Sequence, residues 1–173
     1  GSASALSGGE SVIRVFLNIV GTPSGVETIS ISPVDGSSVY DKVGNVMLSS
    51  QSTGVKNLKD QLLPLINSTF LAADNSTIAV TMSEPVFNTN SGSGALEVSD
   101  FIFSISGGTA SLSSTTPSSI SIDDNVYTLG ISLSGTVNGK EELVVAPVSN
   151  SIYDASGNGA STSQSNNIAD LYD

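Results

Sequence analysis

Asp60, Glu84, Asp100, Asp123, Asp124, Asp154 and Asn158 are the side chains through which this chain could do chemistry. Its 173 residues include no His, no Cys and no Trp. That removes imidazole bases, thiol nucleophiles and the usual zinc and haem ligands, and leaves carboxylate and amide oxygens. Oxygen donors suit a hard cation such as Ca²⁺, which takes about six to eight of them. No D-x-D-x-D-G loop accompanies these residues, however. Paired carboxylates can also hydrolyse glycosides, but here they fall on turn sequences with no aromatic platform beside them, since Phe, Tyr and Trp make up only 5% of the chain. A non-catalytic protein is therefore expected. Each candidate also has a plain structural reading. "YDASGN" (Tyr153–Asn158) is a turn in which Asp caps its own backbone, "IDDN" (Ile122–Asn125) is another, and Glu84 before Pro85 is a solvated bend.

These residues must be positioned by strands. Hydrophobic residues are 38% of the chain, enough for a packed core at this length. About a quarter of all residues are Ser or Thr, and Val, Ile and Leu dominate the apolar set, a mixture that favours pleated strands with hydroxylated outer faces. Lys and Arg number 5 against 16 Asp and Glu, a net charge of −11. Such a surface repels phosphate backbones and anionic membranes, so no nucleic-acid partner is expected. The apolar run Val12–Val20 is too short to cross a bilayer and carries Arg14, so no membrane insertion is expected either. A chain without Cys fits the cytosol or a bacterial exported protein that forgoes disulfides.

The sequence repeats itself. "VIRVFLNIVGTPSGVETISISPV" (Val12–Val34) aligns without a gap on "VYTLGISLSGTVNGKEELVVAPV" (Val126–Val148). After a slip of one residue, Tyr40-Asp41 meets Tyr153-Asp154, Gly44-Asn45 meets Gly157-Asn158, and Ser50-Gln51-Ser52 meets Ser163-Gln164-Ser165. Leu58 and Asp60 then meet Leu171 and Asp173. The spacing is that of a domain, not of a solenoid turn. Residues 1–59 are thus expected to be the C-terminal half of one module and 60–173 a complete second one. Ile13, Val15, Leu17 and Ile19 alternate as Tyr127, Leu129, Ile131 and Leu133 do, which predicts one buried strand face in each copy.

Strands are predicted near Leu65–Leu71, Thr77–Ser83, Val98–Ser106, Tyr127–Leu133 and Glu142–Pro147, with short ones in "GTASLSS" and "PSSISID" and a last one within Ser161–Leu171. Between the modules, Val55, Leu58, Leu62 and Leu65 have helical spacing interrupted by Pro64, which predicts a linker with one helical turn. Seven or eight short strands separated by turn signals read as an all-β, antiparallel sandwich.

"TIAVTMSEPVFNT", "ALEVSDFIFSISGGTASLSS" and "NSIYDASGNGASTSQSNN" resemble the tandem bacterial immunoglobulin-like modules of very large secreted or surface proteins. In that family a strand often ends in F-S-E-P-V; here Met82 replaces the Phe. The resemblance covers 65–173, and 12–60 as a half copy. It implies an immunoglobulin-like β-sandwich acting as spacer, stalk or adhesin segment at the bacterial cell surface, and it transfers no catalytic residues.

In such a sandwich three loops share one end. That end would gather Glu84 and Asp100, Asp123 and Asp124, and Asp154 with Asn158, with linker residue Asp60 close by. Calcium held there would stiffen the module junction. The alternative is an adhesive module whose calcium-dependent loops bind a glycan or surface protein. Sugar stacking would fall to Tyr40, Tyr127, Tyr153 or Tyr172, of which Tyr127 is predicted to face the core. The expected partners are neighbouring copies of the module, and residues 12–58 are expected either to pack on the full module or to pair with the same segment of a second chain as a strand-exchanged dimer. Asn67-Ser-Thr and Asn75-Ser-Thr match the N-glycosylation pattern, read here as coincidence in a Ser/Thr-rich chain.

Overall fold

Where apolar residues alternate with small or hydroxylated ones, the chain forms strands that sort them onto two faces. The computed structural model describes residues 8–173. All pairings in its sheets are antiparallel, and its helical content is one 3₁₀ turn. The chain divides into two compact units, Gly1–Leu62 and Leu63–Asp173.

In the first unit, β1 (Thr28–Ile29) pairs with β2 (Lys56–Asn57), placing Thr28 opposite Asn57 and Ile29 opposite Lys56. No helical turn forms over 55–65, because Lys56 and Asn57 are taken up by this pairing and Leu58 N–H donates to Glu27 O at 2.7 Å. Residues 12–20 hold no strand beyond a single bridge at Val15, and Ile13, Val15, Leu17 and Ile19 are exposed. This corrects the predicted buried face. Alternation supplies an apolar stripe, but only a second layer buries it.

The second unit is built from β3 (Ile66–Leu71), β4 (Thr77–Met82), β5 (Phe101–Ser106), β6 (Ser111–Leu112), β7 (Ile120–Asp123), β8 (Val126–Gly130), β9 (Leu133–Ser134), β10 (Glu142–Pro147) and β11 (Ile168–Asp170). One sheet has the order β3-β4-β8-β7, another β11-β10-β5, and β6 pairs with β9. Ile78, Val80 and Met82 of β4, Phe101 and Phe103 of β5, and Leu143 and Val145 of β10 all enter one buried cluster. The two larger sheets therefore share a core. Phe101 and the core-facing Tyr127 stack at a tilt, with ring centroids 6.0 Å apart.

Two predicted strands are cut short for visible reasons. β5 starts at Phe101 and not at Val98, because Glu97 N–H donates to Asp100 Oδ2 at 2.7 Å and Asp100 N–H to Glu97 O at 3.0 Å, winding 98–100 into the 3₁₀ turn. The Tyr127–Leu133 stretch splits because the chain changes partners: β8 pairs with β4 and β7, whereas β9 leaves to pair with β6. Among the described residues no helix is long and apolar enough to cross a membrane.

Candidate functional site at the Asp154 turn

Tyr153 is held on both sides, bridging to Phe87 and to Gly159. Phe87 N–H donates to Tyr153 O at 2.7 Å and Tyr153 N–H to Phe87 O at 2.8 Å. The bridge ties the Glu84–Phe87 stretch to the turn that follows Tyr153. In that turn Asp154 is fully buried. Its Oδ1 accepts the backbone N–H groups of Ser156 and Asn158, each at 2.8 Å, and its Oδ2 accepts Asn158 Nδ2 at 2.7 Å. Gly157 closes the turn at φ 85°, and a Cβ there would lie 2.6 Å from Asn90 O. Only glycine fits this approach.

Glu84 and Asp154 each offer a carboxylate oxygen within 4.8 Å of the other. A carboxylate has about four lone-pair sites, and the turn occupies three on Asp154. The geometry suits holding a turn in shape or anchoring a cation. It does not suit reaction with a substrate, because Asp154 has no exposed surface.

Asp100, Asp123 and Asp124 lie elsewhere. Asp100 is buried, with an oxygen engaged by Glu97 N–H, and burial raises its pKa above the ordinary carboxylate value. Asp123 ends β7 and is exposed. Asp124 sits at φ 50° in the β7–β8 turn, lining an open cleft of about 500 Å³ with Pro85, Val86, Phe87, Leu96 and Tyr127. Among the described residues, none of Asp100, Asp123 and Asp124 comes within ion-sharing distance of both Glu84 and Asp154. Asp60 belongs to the first unit, where its Oδ1 accepts Leu62 N–H at 3.0 Å. Of the tyrosines, Tyr153 spends its hydroxyl on Asn150 O at 2.9 Å, and Tyr40 and Tyr172 are exposed.

Sequence reasoning passed over Glu141. It is fully buried beside β10. Its Oε1 accepts the backbone N–H groups of Thr109 and Ala110 at 2.7 and 3.0 Å, and its Oε2 those of Asn138 and Lys140 at 3.0 and 3.2 Å. The bond from Ala110, with those from Asn138 and Thr109, holds its pKa at about 2, against an ordinary 4.5. The available signal was its alignment with Glu27, whose Oε2 accepts Ser24 N–H at 2.8 Å, the position aligned with Asn138.

The same coincidence recurs across the aligned positions. Asp41 Oδ1 accepts Val43 and Asn45 N–H at 2.9 and 2.8 Å, and its Oδ2 accepts Asn45 Nδ2 at 2.7 Å. These are the bonds of the Asp154 turn. Thr28 opposite Asn57 likewise matches Glu142 opposite Asp170, and Leu58 N–H to Glu27 O matches Leu171 N–H to Glu141 O. No protein-family description, curated protein or solved structure matches the chain.

Proposed function

We propose that the chain is part of a string of immunoglobulin-like repeats that serves as a non-catalytic spacer or stalk in a large bacterial surface or secreted protein. The observation that carries this reading is the duplication: aligned residues of the two units form the same turn and the same strand register. A chain that spells one irregular turn twice, at a domain-length spacing, is assembled by repetition. The sheet orders β3-β4-β8-β7 and β11-β10-β5 support an immunoglobulin-like sandwich, since they follow the A-B-E-D and G-F-C arrangement of that fold. A net charge of −11 keeps neighbouring beads from collapsing onto one another or onto anionic surfaces.

A second reading, a calcium-dependent adhesive module for a glycan or surface protein, is favoured by the proximity of Glu84 and Asp154. Thermal unfolding of EDTA-treated protein with and without Ca²⁺, followed by a glycan-binding screen, separates the two. An ion at a hundred times its Kd adds about 2.7 kcal/mol to the folded state, a rise of several degrees in a domain this size. A spacer shows no glycan retention, and a rise without it marks a spacer stiffened by the ion. A rise that Mg²⁺ does not reproduce, accompanied by calcium-dependent glycan binding, replaces the spacer with the adhesive module.

A further inference from the structure

We propose that the apolar face of residues 12–58 is a docking surface for a β-strand half with the pattern of residues 63–112. This inference rests on the duplication described above, though not on the stalk role. Four aligned pairs carry it. Tyr127, Leu129, Val145 and Ile152 are 3, 0, 0 and 1% exposed, whereas Ile13, Val15, Ile31 and Val39 are 50, 40, 39 and 38% exposed. All eight are large hydrophobic residues, and the Asp turn that follows them is the same in both copies. What differs is the layer on top.

The second unit displays the strands that complete each layer. β8 is flanked by β4, with Ile78 opposite Leu129 and Val80 opposite Tyr127. β10 is flanked by β5, with Phe103 opposite Val145 and Ile105 opposite Leu143. Carried to the first unit, the donor's Ile78 falls opposite Val15, its Val80 opposite Ile13, its Phe103 opposite Ile31 and its Ile105 opposite Ile29. The acceptor backbone has room for it: residues 12–20 hold no strand beyond the bridge at Val15, and among the described residues β1 is two residues long and pairs with β2. Strand addition would satisfy these edges while its alternate side chains cover the stripe.

The strand register selects this occupant over a second copy of the same face. In the second unit the strands beside β8 and β10 are β4 and β5, both within 63–112. Residues 12–58 align with 126–171 and hold no counterpart of either.

The test mixes the full chain with a synthetic peptide of residues 63–112 and follows amide exchange by mass spectrometry. Amides within 12–34 should slow by about a hundredfold or more, and a peptide carrying Ile78→Asp and Phe103→Asp should leave them unchanged. Val15→Asp in the chain should abolish the slowing while 63–173 stays protected. The proposal is overturned by no slowing, by equal slowing with the doubly substituted peptide, or by slowing confined to 126–147. Concentration-dependent protection of 12–34 in the chain alone, indicating a second copy on the face, overturns it too. The calcium and glycan assays read the stalk role separately, so either conclusion can fail without the other.

Discussion

Asn75 and the backbone of Tyr172 exchange two hydrogen bonds: Asn75 Nδ2 donates to Tyr172 O at 2.8 Å, and Tyr172 N–H donates to Asn75 Oδ1 at 2.9 Å. One side-chain amide thus acts as a rung between the β3–β4 turn and the segment after β11. Asn75 also sits at φ 57°, where Asn is tolerated and Ala is strained. Asn75→Ala should cost about 2–3 kcal/mol through both lost bonds and backbone strain, and Asn75→Gly about 1–2 kcal/mol through the bonds alone. Urea unfolding of the two variants separates the contributions.

Glu141 satisfies four backbone N–H groups with two oxygens. Glutamine supplies one acceptor oxygen and turns an NH₂ group toward the remaining donors. Glu141→Gln should lower the melting temperature at neutral pH by roughly 5 °C or more. A melting curve unchanged within a degree would show that the N–H groups find water instead.

The pH dependence follows from the same carboxylate. Its folded pKa of about 2 lies below the ordinary 4.5, so its stabilising contribution is complete above pH 4.5 and is lost as pH falls from 4.5 to about 2. Asp100 acts in the opposite direction. Its pKa is raised by burial, so its contribution is complete below the ordinary 3.8 and is lost as pH rises through the raised value. Urea midpoints at pH 6, 4 and 2.5 should fall toward acid in the parent. The fall should be flatter in Glu141→Gln, and Asp100→Asn should gain more at pH 6 than at pH 2.5.

Aligned positions should respond unequally to the same truncation. Leu129→Ala empties a fully buried site and should cost about 2–5 kcal/mol. Val15→Ala, at the aligned but exposed position, should stay within about 0.5 kcal/mol. Calorimetry on both variants measures the difference.

What the sequence revealed of this fold depends on how local each determinant is. β10 was readable to the residue, since the apolar run Leu143–Ala146 lies between the Asn138-Gly139 turn signal and Pro147. The start of β5 was not, because the contest between strand and turn at Val98 is decided by hydrogen bonds between Glu97 and Asp100. Burial of Val12–Val20 could not be read from its alternation, which is the same as that of 126–134; only the layer above distinguishes them. Glu141 escaped notice because two of its donors, Thr109 and Ala110, lie about thirty residues away and meet it only through the fold. Assigning loops to one end gathered seven residues on paper. The Phe87–Tyr153 bridge draws Glu84 and Asp154 together, whereas Asp100 is turned to its own backbone and Asp124 to the cleft beside Pro85.

The paired Asp turns offer a controlled measure of burial. Asp154 and Asp41 make the same three bonds at nearly the same lengths, but Asp154 is fully buried and Asp41 is exposed. With the chemistry matched, water is the difference: it reaches the carboxylate at Asp41 and does not reach that of Asp154. Asp154→Ala should therefore cost about 2–3 kcal/mol by urea unfolding, and Asp41→Ala should leave the unfolding midpoint unchanged. Asp154→Asn distinguishes the charge beside Glu84 from the turn. It keeps one acceptor and removes the like-charge repulsion, so it should recover part of the loss if that repulsion is felt. A loss equal to that of alanine would assign the whole effect to the three turn bonds, leaving Glu84 without influence on the stability of the turn.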